Sequence, residues 1–152
     1  MTAMTWWRSP LRRLLAEQDE ARVIAAIRAA EAKTSGEIRV HVERHFRGDP
    51  MTTARRWFTR LGMEATGERN GILFYVAVDD RAFAIVGDAG IHAKVGEAFW
   101  TAVRDAMGDA FAKGKPADGL TQAIGEVGSR LAMHFPRGGG DRNELSDEVS
   151  YR

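Results

Sequence analysis

The chain contains no cysteine. That excludes a thiol nucleophile, a cysteine zinc site, an iron–sulfur cluster and any disulfide, and it leaves the redox compartment undetermined. Charge of one sign is equally scarce: 22 Lys and Arg against 21 Asp and Glu leave a net charge of +1 at pH 7. Nucleic-acid binding, which asks for a strongly basic face, has no support in that balance. No apolar run approaches the roughly 20 residues that span a bilayer. The first 15 residues lack the continuous hydrophobic core and small-residue cleavage site of a secretory signal, so the expected localisation is cytoplasmic. There is no Walker-type loop, no Rossmann fingerprint and no internal repeat. Ser35 has no evident histidine base, so no serine nucleophile is assigned and the catalytic residues, if any, are unknown.

What is present is one globular domain of 152 residues, 44% of them hydrophobic, long enough to bury a core without staples. Its longest apolar run is Ile72-Leu73-Phe74-Tyr75-Val76-Ala77-Val78. With no polar residue at alternate positions, both faces need cover, which predicts an interior strand. Asp79-Asp80 interrupts the run and residues 82–86 resume it, a hairpin with an acidic turn.

Before the hairpin, residues 18–33 read as a helix with Val23, Ile24, Ile27 and Ala30 inward and Glu20, Arg22, Arg28 and Glu31 outward. Gly36 is expected to close it in the left-handed conformation. Residues 37–44 alternate Ile38, Val40 and Val42 with Glu37, Arg39, His41 and Glu43, a strand with one wet face. Asp49-Pro50 starts a second helix, carboxylate cap then proline. Strand, helix and strand form a right-handed βαβ unit with parallel strands. Residues 91–111 read as one long helix broken near Gly108, and Asp118 is expected to cap a last helix with Leu120, Ile124, Val127 and Leu131 inward.

These elements predict an α/β fold: a three-layer α/β/α sandwich whose small mixed sheet, a βαβ unit plus an antiparallel hairpin strand, is covered by helices on both faces. The domain is expected over 18–136. Residues 1–17 form an N-terminal arm, and 137–152 a mobile acidic tail containing Leu145. The arm carries Trp6, Trp7, Leu11, Leu14 and Leu15 with Arg8, Arg12 and Arg13. Two readings stay open for it: peripheral membrane contact through Trp6 and Trp7, or an arm that folds both tryptophans onto the domain's own surface.

Strand directions bring Ser35, Gly36 and Glu37, Asn70 and Gly71, and Gly87, Asp88, Ala89 and Gly90 to one rim of the sheet. The opposite rim collects His45, Asp79 and Asp80. At the first rim, Glu37, Asp88 and Asn70 are hard oxygen ligands suited to calcium or magnesium. Ser35, Gly36, Gly71, Ala89 and Gly90 let a ligand approach backbone, and the helix start near Gly90 favours an anion such as phosphate. A metal bridging a carboxylate pair to a phosphate suits hydrolysis. Each residue also has a plain structural reading: Asp88 as a helix cap, Asn70-Gly71 as a turn and Glu37 as a strand end. His41 and His45 share a side of the strand, but no third zinc ligand is evident.

Thr34-Ser35-Gly36-Glu37-Ile38-Arg39-Val40, Arg69-Asn70-Gly71-Ile72-Leu73 and Asp80-Arg81 with Phe83-Ala84-Ile85-Val86-Gly87-Asp88-Ala89-Gly90-Ile91 resemble the TPM domain. This is the phosphatase-like domain first described in thylakoid-lumen proteins of photosystem II repair. Gly119-Leu120, Ala123-Ile124 and His134-Phe135-Pro136-Arg137 look like its short single-domain bacterial branch, and the resemblance covers residues 18–148. It implies an α/β/α sandwich, divalent-metal binding in some members and acid-phosphatase activity claimed for a plant member. By position, Glu37, Asn70 and Asp88 fall on the family's Ser-Gly-Glu, Asn-Gly and Gly-Asp motifs. The chain departs from members that carry an N-terminal signal and a C-terminal transmembrane segment. The expected function is a divalent-metal-binding or partner-binding module, using that rim or the acidic tail to meet a protein. The alternative is a metal-dependent hydrolase acting on phosphomonoesters.

Overall fold

The computed structural model describes residues 16–138 and 149–151. Most of the N-terminal arm, with Trp6 and Trp7, and the tail residues 139–148, with Leu145, lie outside the described residues. Helix α1 (Glu17–Glu31) is followed by β1 (Glu37–Glu43), α2 (Pro50–Arg60), β2 (Gly71–Ala77), β3 (Ala82–Gly87), α3 (Ala89–Val95), α4 (Glu97–Ala112), α5 (Pro116–His134) and β4 (Ser150–Tyr151).

The sheet runs β3-β2-β1-β4. β1 and β2 are parallel, in register from Glu37 opposite Gly71 to Glu43 opposite Ala77, as the βαβ reading requires. β3 is antiparallel to β2, and every residue of β2 is buried. The fourth strand is an addition to the three expected: Ser150 and Tyr151 pair with His41 and Val42 in parallel. Two residues carry too little pattern to be read as a strand from sequence.

Even-numbered residues of β1 and β2 (Ile38, Val40, Val42, Ile72, Phe74, Val76) join the main core with α1, α4 and α5. On the other face, α2 alone packs Ala54 and Phe58 against Tyr75, Ala77, Leu73 and Ala84. The α/β/α sandwich stands, with one layer much thicker than the other. Asp49 caps α2 as read from Asp49-Pro50: its carboxylate accepts from the Thr52 N–H at 2.9 Å.

Four local expectations are corrected. Gly36 is not left-handed, since positive φ among the described glycines occurs at Gly48, Gly62, Gly96 and Gly114. A side chain at Gly36 would instead meet Leu131 of α5 at 2.8 Å, so its smallness serves packing. The long helix breaks at Gly96 (φ 78°), not near Gly108, which sits inside α4. Apolar periodicity runs across that break, so periodicity alone could not show it. Asp118 lies in the first turn of α5 without capping it and pairs with Arg22 of α1 at 2.6 Å. Finally, Glu31 points inward and is buried; its Oε2 accepts the Ile38 N–H at 2.6 Å, at the start of β1.

Candidate functional site

Three strand ends meet at one rim, in the arrangement the strand directions dictate. Glu37 pairs with Gly71, and the Asp88 N–H donates to the Gly71 carbonyl at 3.0 Å. Glu37, Gly71 and Asp88 thus form one row across three adjacent chain segments. Two strand spacings, about 9–10 Å, separate the backbones of the two carboxylate residues.

Asp88 (7% exposed) is engaged within the protein. Arg69 grips it with two bonds, Nε to Oδ2 at 2.7 Å and a terminal nitrogen to Oδ1 at 2.8 Å, the fork geometry that makes arginine–carboxylate pairs strong. The Ala89 N–H also donates to Oδ1 at 2.7 Å, so the helix-cap reading of Asp88 holds. Asp88 in turn raises the guanidinium pKa of Arg69, by hydrogen bond first and charge second.

Arg69 itself has φ 52°, a backbone conformation uncommon outside glycine. The strained turn is fixed from the other side by the Gly90 N–H, which donates to the Arg69 carbonyl at 2.8 Å. A Cβ at Gly90 would lie 2.1 Å from the Glu68 carbonyl oxygen. Gly90 is therefore where α3 is laid against the turn, and the N–H groups of Ala89 and Gly90, expected to face an anion, are bonded internally.

Asn70 (1% exposed) is held differently. Its backbone N–H donates to Thr66 Oγ1 at 3.1 Å, and its Nδ2 donates to Ser35 Oγ at 3.2 Å. Its Oδ1 is buried with no hydrogen-bond partner among the described residues. Leaving such an acceptor unmet costs about 1–3 kcal/mol. Glu37, also buried (4% exposed), lies on the α2 face by strand alternation, whereas Asn70 shares the phase of Ile72. A ligand shared by both would sit at the end of the sheet, beyond the strand starts. Among the described residues no group of three or more His, Asp or Glu is placed to hold a metal ion.

The opposite rim is an ion-pair knot. Arg44 Nε meets Asp79 at 3.1 Å, His45 meets Asp80 at 3.1 Å, and the Phe46 N–H donates to Asp80 at 2.8 Å. The Phe46 N–H and the bond to His45 hold the Asp80 carboxyl below the usual carboxylate range. These contacts tie the exit of β1 to the hairpin turn.

Sequence reasoning missed a buried polar cluster on the odd-numbered face of β1. Far from being wet, that face has Glu37, His41 and Glu43 buried. Glu43 accepts from Trp57 Nε1 at 3.1 Å and from the Tyr75 hydroxyl. The His41 ring stacks on Trp57 with centroids 3.9 Å apart, and its Nδ1 bonds Ser150 Oγ at 2.7 Å. His45, four residues on, is exposed and belongs to the knot, so the two histidines are not brought together. The missed signal lies in the donors Trp57 and Tyr75, which face this strand from α2 and β2.

Among the described residues no helix is long and apolar enough to cross a membrane. A family model described as the TPM domain matches residues 11–130. The chain is similar in structure to the BA42 protein from the psychrophilic bacterium Bizionia argentinensis sp. nov., solved by NMR. They share 39% identity at a TM-score of 0.87, over 95% of this chain and 99% of that one. The N-terminal domain of the cg2496 protein from Corynebacterium glutamicum matches at 21% identity and a TM-score of 0.63, over 87% of this chain and 82% of that one. The N-terminal domain of a protein from P. gingivalis matches at 20% and 0.63, over 82% and 83% respectively. These last two speak for the fold alone. No curated protein matches the chain.

Proposed function

Since the chain belongs to the TPM domain family, we propose that it is a binding module whose ligand is a divalent cation, calcium or magnesium, taken at the rim of Ser35, Glu37 and Asn70. The observation that carries this reading is the Asn70 Oδ1, a buried acceptor with no hydrogen-bond partner among the described residues. A hard cation satisfies such an oxygen, and hydroxyl and carboxylate oxygens are its natural companions. Asp88 would join only when the exposed Arg69 side chain (53% exposed) swings away from it. Phosphomonoester hydrolysis is the weaker reading, because among the described residues the rim offers no placed nucleophile or general acid and Arg69 already neutralises one of its two carboxylates.

Titration of the 15N-labelled protein with calcium chloride, and separately with magnesium chloride, tests the proposal. Saturable shifts are expected at the Ser35, Gly36, Glu37, Asn70 and Gly71 amides, weakened in Asn70→Ala and Glu37→Gln. A spectrum that either ion leaves unchanged at these residues sinks the reading. Turnover of a phosphomonoester that depends on the metal and disappears in Glu37→Ala/Asp88→Ala would restore the hydrolase instead.

A further inference from the structure

The outer seam between α4 and α5 is a groove of about 450 Å³. Val103 and Met107 form its buried floor, and the exposed Ala98, Ala102 and Ala106 leave one wall low. Arg130 closes one end by stacking over Phe99 at 4.7 Å, and Gly119 lies at the other. The groove is apolar along its floor and open to solvent.

We propose that the occupant is the chain's own N-terminal arm, residues 1–15, with Trp6 and Trp7 seated between α4 and α5. The first argument is where the arm begins. α1 runs alongside α5 in the same direction: Arg22 bonds Asp118, and further along Gly128 is so close to Ala30 that a Cβ there would lie 2.6 Å from the Ala30 methyl. The start of α1 therefore lies at the end of α5 where Gly119 opens the groove. The second is length. From Ala98 to Met107 the groove follows about 14 Å of α4, and 15 residues reach up to about 50 Å when extended. The arm can cross α5, about 10 Å thick, and still lay its tryptophans along the groove.

Of the two sequence readings of the arm, this commits to the domain's own surface and names the place.

The absence of cysteine makes a clean test available in the full chain. A nitroxide is attached at Gln122→Cys, an exposed position on the groove wall, and in a second sample at Arg55→Cys, exposed on α2 across the sheet. The groove label is expected to erase the Trp6 and Trp7 indole signals, and the α2 label to leave them. In Trp6→Ala/Trp7→Ala, the amide shifts of Ala98, Ala102 and Glu126 should move while those of α2 stay. Indole signals untouched by the groove label overturn the proposal. So does their loss only on mixing labelled and unlabelled chains, which would seat the arm on a second copy. Loss of the indole signals only on adding anionic vesicles overturns it in favour of a membrane surface.

Discussion

Glu31 is a carboxylate that helical periodicity places on the wet side of α1, yet it is buried and holds the Ile38 N–H. The bond lets a helix end close the start of β1, where among the described residues no neighbouring strand supplies that acceptor. Removing it leaves a buried donor unmet, so Glu31→Ala should lose about 1–3 kcal/mol in urea unfolding. Glu31→Gln keeps an acceptor and should lose less. Equal losses would show that charge, not the hydrogen bond, matters at this position. The same logic separates the rim residues. Asp88 has its partners in Arg69 and Ala89, whereas Asn70 Oδ1 has none among the described residues, and that difference was invisible in the motif spellings.

At the scale of elements, the Arg69 turn and α3 act as one piece. The turn holds Asp88 from one side, and the Gly90 N–H holds the turn from the other. Adding one methyl group at Gly90 sets it against backbone oxygen rather than a flexible side-chain end. Gly90→Ala should therefore cost at least the roughly 1–3 kcal/mol of an overpacked site. Its amide-exchange protection should fall at Ile91 and Asp88 before it falls in β2. A Tm unchanged from the wild type would contradict the close approach. This is also where the legibility of the candidate site ran out. Sequence placed Ser35, Glu37, Asn70 and Asp88 at one rim because strand direction alone decides that. It offered the glycines as openings for a ligand, whereas Gly36 and Gly90 admit Leu131 and the Glu68 carbonyl, neighbours far away or unrelated by any repeat.

At the scale of the whole molecule, residues 149–151 tie onto the sheet beside β1. Val149 is buried in the main core, Ser150 bonds His41 and donates to the Val40 carbonyl at 3.3 Å, and the Tyr151 hydroxyl donates to Glu20 at 2.8 Å. Truncation after residue 148 should cost at least the roughly 1.5–3 kcal/mol of burying one valine. Hydrogen exchange should then rise at His41 and Val42, and unchanged protection there would remove β4 from the folding unit. A deletion of 138–152 made to test the tail as a docking segment would therefore also disturb the domain.

The sequence by itself determined the βαβ-hairpin order, the parallel and antiparallel pairings, the α/β/α layering and the rim on which the candidate residues fall. All of these follow from local periodicity, turn chemistry and the handedness of crossovers, which act within a few tens of residues. Only the tertiary structure decided that the polar face of β1 is buried, that Asp88 is occupied and that the last residues pair with His41. For the last pairing the physical reason is separation along the chain, since Ser150 is 109 residues from His41; for Asp88 and the polar face of β1 the partners Arg69 and Trp57 are only 19 and 14 residues away, and what local periodicity does not fix is where those side chains turn. A charged or polar side chain reads as exposed until the distant donor or aromatic ring that covers it is known.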